Sequence, residues 1–122
     1  MTPSEIITQN IKATGKDPAQ VLSWIAALVK QKHAILLKSG NSVLFLKRIA
    51  PGEAELHLFT VDTPRALVTA LKDFVAKVRA SDLEKVYGKA DNPQIVEALK
   101  MVGVQVKSSD KPKYNWMALT KE

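Results

Sequence analysis

The stretch Ala54-Glu55-Leu56-His57-Leu58-Phe59-Thr60-Val61-Asp62, followed by Thr63-Pro64-Arg65-Ala66-Leu67, changes its hydrophobic period in mid-course. Up to Asp62 it reads as a strand. From Pro64 the apolar residues Leu67, Leu71, Phe74, Val75 and Val78 recur at helical spacing. Thr63 is placed to cap that helix, with Pro64 at its first position. The helix is expected to end near Ala80, before a strand over 83–89. A strand, a helix and a strand in succession form a crossover, so the strands at 54–62 and 83–89 are expected to run parallel.

Upstream, Ala34 to Lys38 and Val43 to Ile49 read as strands. Ser39-Gly40-Asn41-Ser42 and Ala50-Pro51-Gly52-Glu53 read as tight turns. Connections this short give an antiparallel meander. Before it, Asp17 caps a helix starting at Pro18, with Val21, Leu22, Ile25, Leu28 and Val29 on one stripe. Residues 1–16 read as an N-terminal arm or short helix, with Ser4 as cap and Ile6, Ile7 and Ile11 on one side. Downstream, Asp91-Asn92-Pro93 opens a helix carrying Ile95, Val96, Leu99 and Val102, which Gly103 ends. Strands over 104–107 and 114–119 follow. The expectation is one α/β domain over residues 1–122, a mixed sheet with flanking helices.

The 122 residues are 46% hydrophobic and 25% charged, which suits a packed globule. The longest apolar run, Trp24 to Val29, is far short of a membrane span. The N-terminus lacks the pattern of a secretory signal. With no cysteine, disulfides, thiolate nucleophiles and thiolate metal sites are excluded. The net charge is +6, carried mostly by lysines scattered along the chain. Arginine, the better bidentate partner for phosphate, occurs only at Arg48, Arg65 and Arg79. A solvated lysine surface is the expected reading, and a nucleic-acid face the alternative. Trp24 and Trp116 are expected in the core.

The segment Val86-Tyr87-Gly88-Lys89-Ala90-Asp91-Asn92-Pro93, continuing through the helix to Gly103-Val104, together with the element order, resembles the GNAT family of N-acetyltransferases. Asn92 takes the position of that family's asparagine. Lys100 stands one place early for the family's basic residue, and Val104 replaces an aromatic one. Within the family, the compressed N-terminal half and the end Tyr114-Asn115-Trp116-Met117-Ala118-Leu119 are similar to small acetyltransferase-like proteins of short-tailed bacteriophages.

The resemblance implies three functional elements. The first is a glycine-rich loop whose N–H groups hold the pyrophosphate of acetyl-coenzyme A. Here the matching stretch, Val61 to Leu67, has no glycine. Pro64 removes a donor, Asp62 is expected to oppose the phosphates, and Arg65 alone favours an anion. The second is a tyrosine general acid, and the matching position holds Leu99. The third is a base for the amine. Glu55 and His57, two apart on a strand, share a face and are the candidates. A carboxylate beside an imidazole can raise its pKa and orient it; the plainer reading is a polar pair on the less buried part of the sheet face. His33 reads as a charge partner at a helix C-terminus.

With two elements missing, the resemblance implies a non-enzymatic virion or assembly protein, in the particle or the host cytoplasm. It would act on other phage proteins or on its own copies through Ile7, Ile11, Trp116 and Met117, the last two on a strand expected at the sheet's edge. Coenzyme affinity is then expected to be no tighter than about millimolar. The alternative is an active N-acetyltransferase using acetyl-CoA, with Arg65 and Asn92 at the coenzyme and Glu55 or His57 as base. A second alternative is a basic, nucleic-acid-associated protein inside a capsid.

Overall fold

The computed structural model describes residues 1–89 and 93–120. Its elements are α1 (Pro3–Lys12), α2 (Pro18–Lys30), β1 (Ala34–Ser39), β2 (Ser42–Ala50), β3 (Glu53–Thr60), α3 (Pro64–Arg79), β4 (Lys85–Gly88), α4 (Pro93–Met101), β5 (Gln105–Ser108) and β6 (Trp116–Leu119). Every expected element is present, with ends shifted by a few residues at most. Asp17 and Thr63 cap α2 and α3 as expected, each with proline at the first position. In α1 the cap is Thr2 and not Ser4. Thr2 and Glu5 satisfy each other's backbone N–H groups at 3.2 and 3.0 Å, a reciprocal box that moves the helix start from Ser4 back to Thr2.

The strands form one sheet in the order β1-β2-β3-β4-β6-β5. β1, β2 and β3 are an antiparallel meander. β3 and β4 run parallel, as the crossover through α3 requires. The strand carrying Trp116 and Met117 was expected at an edge. It lies inside, between β4 and β5, and β5 is the edge. The short β5–β6 excursion lets the last strand return to β4, which leaves β5 outermost.

Two apolar layers cover the sheet. On one face Leu44, Leu46, Ala54 and Val86 pack with Leu71, Phe74 and Val78 of α3 and Ala98 and Leu99 of α4. On the other, Val43, Phe45 and Phe59 pack with Ile6, Ile7 and Ile11 of α1 and Ile25 of α2. Ile6 and Ile7 are almost fully buried, and burying such a side chain stabilises by about 1.5–3 kcal/mol. Ile7 and Ile11 are therefore core residues of this domain and not an exposed contact stripe. The helix is too short to persist alone and finds its partner in its own sheet.

Trp116 belongs to the α3/α4 layer and lies over Gly88, its partner across β6 and β4. A Cβ on Gly88 would sit 2.1 Å from the indole. Gly88 is required by this close approach. Among the described residues no helix is long and apolar enough to cross a membrane.

Candidate functional site

β3 and β4 share only three facing pairs, Glu53↔Lys85, Ala54↔Val86 and Glu55↔Tyr87. β4 ends one residue later, at Gly88, while β3 runs on through Leu56 to Thr60. Among the described residues the sheet is thus forked beyond Glu55, with the backbone of β3 unpaired on its β4 side. A fork between parallel strands leaves backbone N–H and C=O groups able to accept a ligand.

Residues at the fork divide by strand parity. Glu55 and His57 point to the α1/α2 face with their neighbour Phe45, and Tyr87, opposite Glu55, shares that face. Glu55 is buried, and its Oε2 lies 3.6 Å from His57 Nε2. The expected side-by-side pair is present. His57 nonetheless has its pKa lowered below the usual 6.5. Burial dominates, Glu55 opposes it, and the charges of Lys89 and Lys47 add to the lowering. The imidazole is therefore neutral at pH 7, with its buried Nε2 lacking a hydrogen-bond partner among the described residues.

Two tyrosines that the family pattern did not single out complete the site. Tyr114, on the loop before β6, stacks at 5.4 Å on Tyr87. Burial, then the charge of Glu55 and a hydrogen bond to it, raise the Tyr114 pKa. Tyr87 is fully buried and donates to Asp110 Oδ1 at 2.9 Å. Burial and that bond push its pKa up. Both hydroxyls stay protonated at neutral pH. The bridge Glu55↔Tyr87 brings the first tyrosine to the site, and no local pattern encodes that register. Trp24, expected in the core, is 40% exposed. It stands edge-on to Phe45 at 5.3 Å and to His57 at 5.7 Å, forming a wall of the site.

The other end of the fork is the N-terminus of α3. Thr63 accepts from the Ala66 N–H, Pro64 has none, and the Leu67 N–H is taken by the Thr63 carbonyl. Arg65 is exposed there. Asp62 has partners of its own. Its carboxylate accepts from the Asn41 N–H at 3.1 Å and from the Ser42 hydroxyl at 2.5 Å. Thr60 closes the ring, with its hydroxyl 2.7 Å from Ser42 Oγ while accepting from the Asp62 N–H at 3.0 Å. The carboxylate is committed to the β1–β2 turn. Leu99 is buried in the α3/α4 layer, far from a proton-donating role. Asn92 lies outside the described residues. Among the described residues no group of three histidine, aspartate or glutamate side chains could hold a metal.

This fold recurs in solved acetyltransferases. RimL, a ribosomal L7/L12 α-N-protein acetyltransferase in complex with coenzyme A, aligns at a TM-score of 0.60 and 12% identity. The alignment covers 94% of this chain and 82% of RimL. The chain has the GNAT fold. A GNAT-family protein from Chromobacterium violaceum aligns at 0.56 and 14% identity, over 86% of this chain and 69% of that one. The yncA protein of Salmonella typhimurium, solved with its cofactor acetyl-CoA, aligns at 0.57 and 11% identity, over 88% and 76%. At such identities the likeness is one of fold. No protein-family model and no curated protein matches the sequence.

Proposed function

We propose that this chain is an acetyl-CoA-dependent N-acetyltransferase with a sparse phosphate site. The observation that carries the reading is the pair of buried Glu55 and half-buried His57 at the mouth of the β3–β4 fork. The GNAT-fold neighbours favour it over a non-enzymatic role, and nothing in them supports a bacteriophage particle.

The residues fit the coenzyme unevenly. The unpaired backbone of β3 suits the extended arm of the ligand. At α3, the Arg65 side chain and N–H would hold the pyrophosphate, and Asp62, committed elsewhere, does not oppose it. When bound, acetyl-CoA supplies the activated acyl group. The chain's own residues handle the amine. An amine enters as an ammonium and must lose a proton before it can attack. The neutral, half-buried His57 ring is placed to accept that proton on the nitrogen turned away from Glu55. Glu55, 3.6 Å away, stabilises the resulting imidazolium. Tyr114 positions the Glu55 carboxylate. No tyrosine replaces Leu99 as acid, so slow turnover is expected.

Calorimetry with acetyl-CoA and a thiol-release assay test the proposal together. Binding tighter than about millimolar is expected, weakened about tenfold by Arg65→Ala. His57→Gln and Glu55→Gln should each lower turnover about a hundredfold or more while leaving coenzyme affinity unchanged. Absence of binding, or turnover indifferent to both substitutions, would overturn it.

A further inference from the structure

We infer that the amine this site accepts carries carboxylate groups next to its reacting nitrogen. The inference rests on the site proposed above. It concerns a ring of lysines that the proton chemistry does not use.

Lys47 lies on β2 directly opposite Glu55, and its Nζ sits 5.9 Å from the Trp24 ring centre. Lys89 follows β4 on the near side of the fork, and its charge is felt at His57. Lys113 holds its Nζ 5.8 Å from the Tyr114 ring centre. Lys47 on β2 and Lys89 just after β4 thus act on His57, and Lys113 adds an ammonium over Tyr114, the tyrosine beside Glu55. None of the three has a carboxylate partner among the described residues. Two neighbouring lysines behave differently, Lys111 over the Tyr87 ring at 5.4 Å and Lys85 on β4. Lys111 pairs with Glu53 at 3.0 Å and Lys85 with Asp110 at 3.6 Å. Among the described residues Lys47, Lys89 and Lys113 are therefore uncompensated, while Lys111 and Lys85 are paired.

Like charges gathered on one opening repel each other and raise the local concentration of anions. The aromatic faces of Trp24 and Tyr114 hold two of them in place despite that repulsion. A polycationic amine would meet three ammonium groups before reaching His57. An amine flanked by carboxylates would pair with them and present its single nitrogen inward. Among the described residues the carboxylate beside His57, Glu55, is buried and engaged by His57 and Tyr114, and Asp110 and Glu53 are paired with Lys85 and Lys111. Net positive charge at the mouth decides the preference.

The test is calorimetric titration of the chain, without coenzyme, using Ser-Glu-Glu, Ser-Gln-Gln and Ser-Lys-Lys tripeptides, free glutamate and spermidine. Ser-Glu-Glu is expected to bind at least about tenfold tighter than Ser-Gln-Gln, and the advantage should shrink as salt rises from about 0.05 to 0.3 M. Lys47→Gln, Lys89→Gln and Lys113→Gln combined should abolish the advantage. Lys113→Gln alone, on an exposed loop, should reduce it severalfold without touching the fold. Free glutamate binding as well as Ser-Glu-Glu supports a small-molecule acceptor, and binding of the peptide alone supports a polypeptide one. Equal binding of Ser-Gln-Gln, a preference for spermidine or Ser-Lys-Lys, or an advantage surviving the lysine substitutions would overturn the inference. The two proposals fail separately. Acetyl transfer at equal rates to all three peptides would sink this one alone, and acidic-peptide binding without any transfer would sink only the catalytic one.

Discussion

Two single positions carry sharp consequences. The first is His57. Its folded pKa lies below the usual 6.5, so folding favours the neutral ring. The stability it permits is complete above the unfolded value and is lost as pH falls from about 6.5 through the folded one. Urea denaturation at stepped pH should show that loss, and His57→Gln should flatten it. The acid limb of turnover should lie below pH 6.5 for the same reason. A limb above that value would show that Glu55 outweighs burial. The second position is Gly88. A methyl there collides with the Trp116 indole at 2.1 Å. Gly88→Ala should cost about 1–3 kcal/mol in chemical denaturation, and a smaller side chain at 116 should relieve part of it. Alternation made the sharing of a face by Glu55 and His57 readable in advance. The direction of the pKa shift was not, because it depends on how deeply Trp24 and Phe45 cover the ring. The exposure of Trp24 escaped too, since a helical stripe shows which side turns inward and not where the covering ends.

At the scale of elements, the start of α3 is decisive. Its sequence, Asp62-Thr63-Pro64-Arg65, places a carboxylate next to a helix N-terminus, and electrostatics alone would set it against a phosphate. The fold gives that carboxylate other work, holding the Asn41 N–H and the Ser42 hydroxyl. The two views differ experimentally. If Asp62 repelled the coenzyme, Asp62→Asn would tighten acetyl-CoA binding. The hydrogen bonds predict no tightening and a stability loss of about 1–3 kcal/mol, read by calorimetry and thermal unfolding. Proline-led helix starts, turn residues and the switch of period marked nearly every element. The register Glu55↔Tyr87 and the insertion of β6 between β4 and β5 were hidden. Each is set by pairing across distant segments, which periodicity does not encode.

At the scale of the molecule, the two apolar layers make α1 indispensable. Ile7→Ala should destabilise by about 2–5 kcal/mol in denaturant titration. Removing residues 1–12 should leave Val43, Phe45 and Phe59 uncovered, giving a lower melting temperature and aggregation. A truncated chain as stable as the whole would contradict this packing. The fork has a mechanical side as well. Three facing residue pairs fasten β4 to β3, whereas eight fasten β2 to β3. Under a pulling force that seam is the weakest line in the sheet. The halves β1–β3 and β4–β6 would part there first, each keeping its antiparallel strands, with α3 as the tether between them.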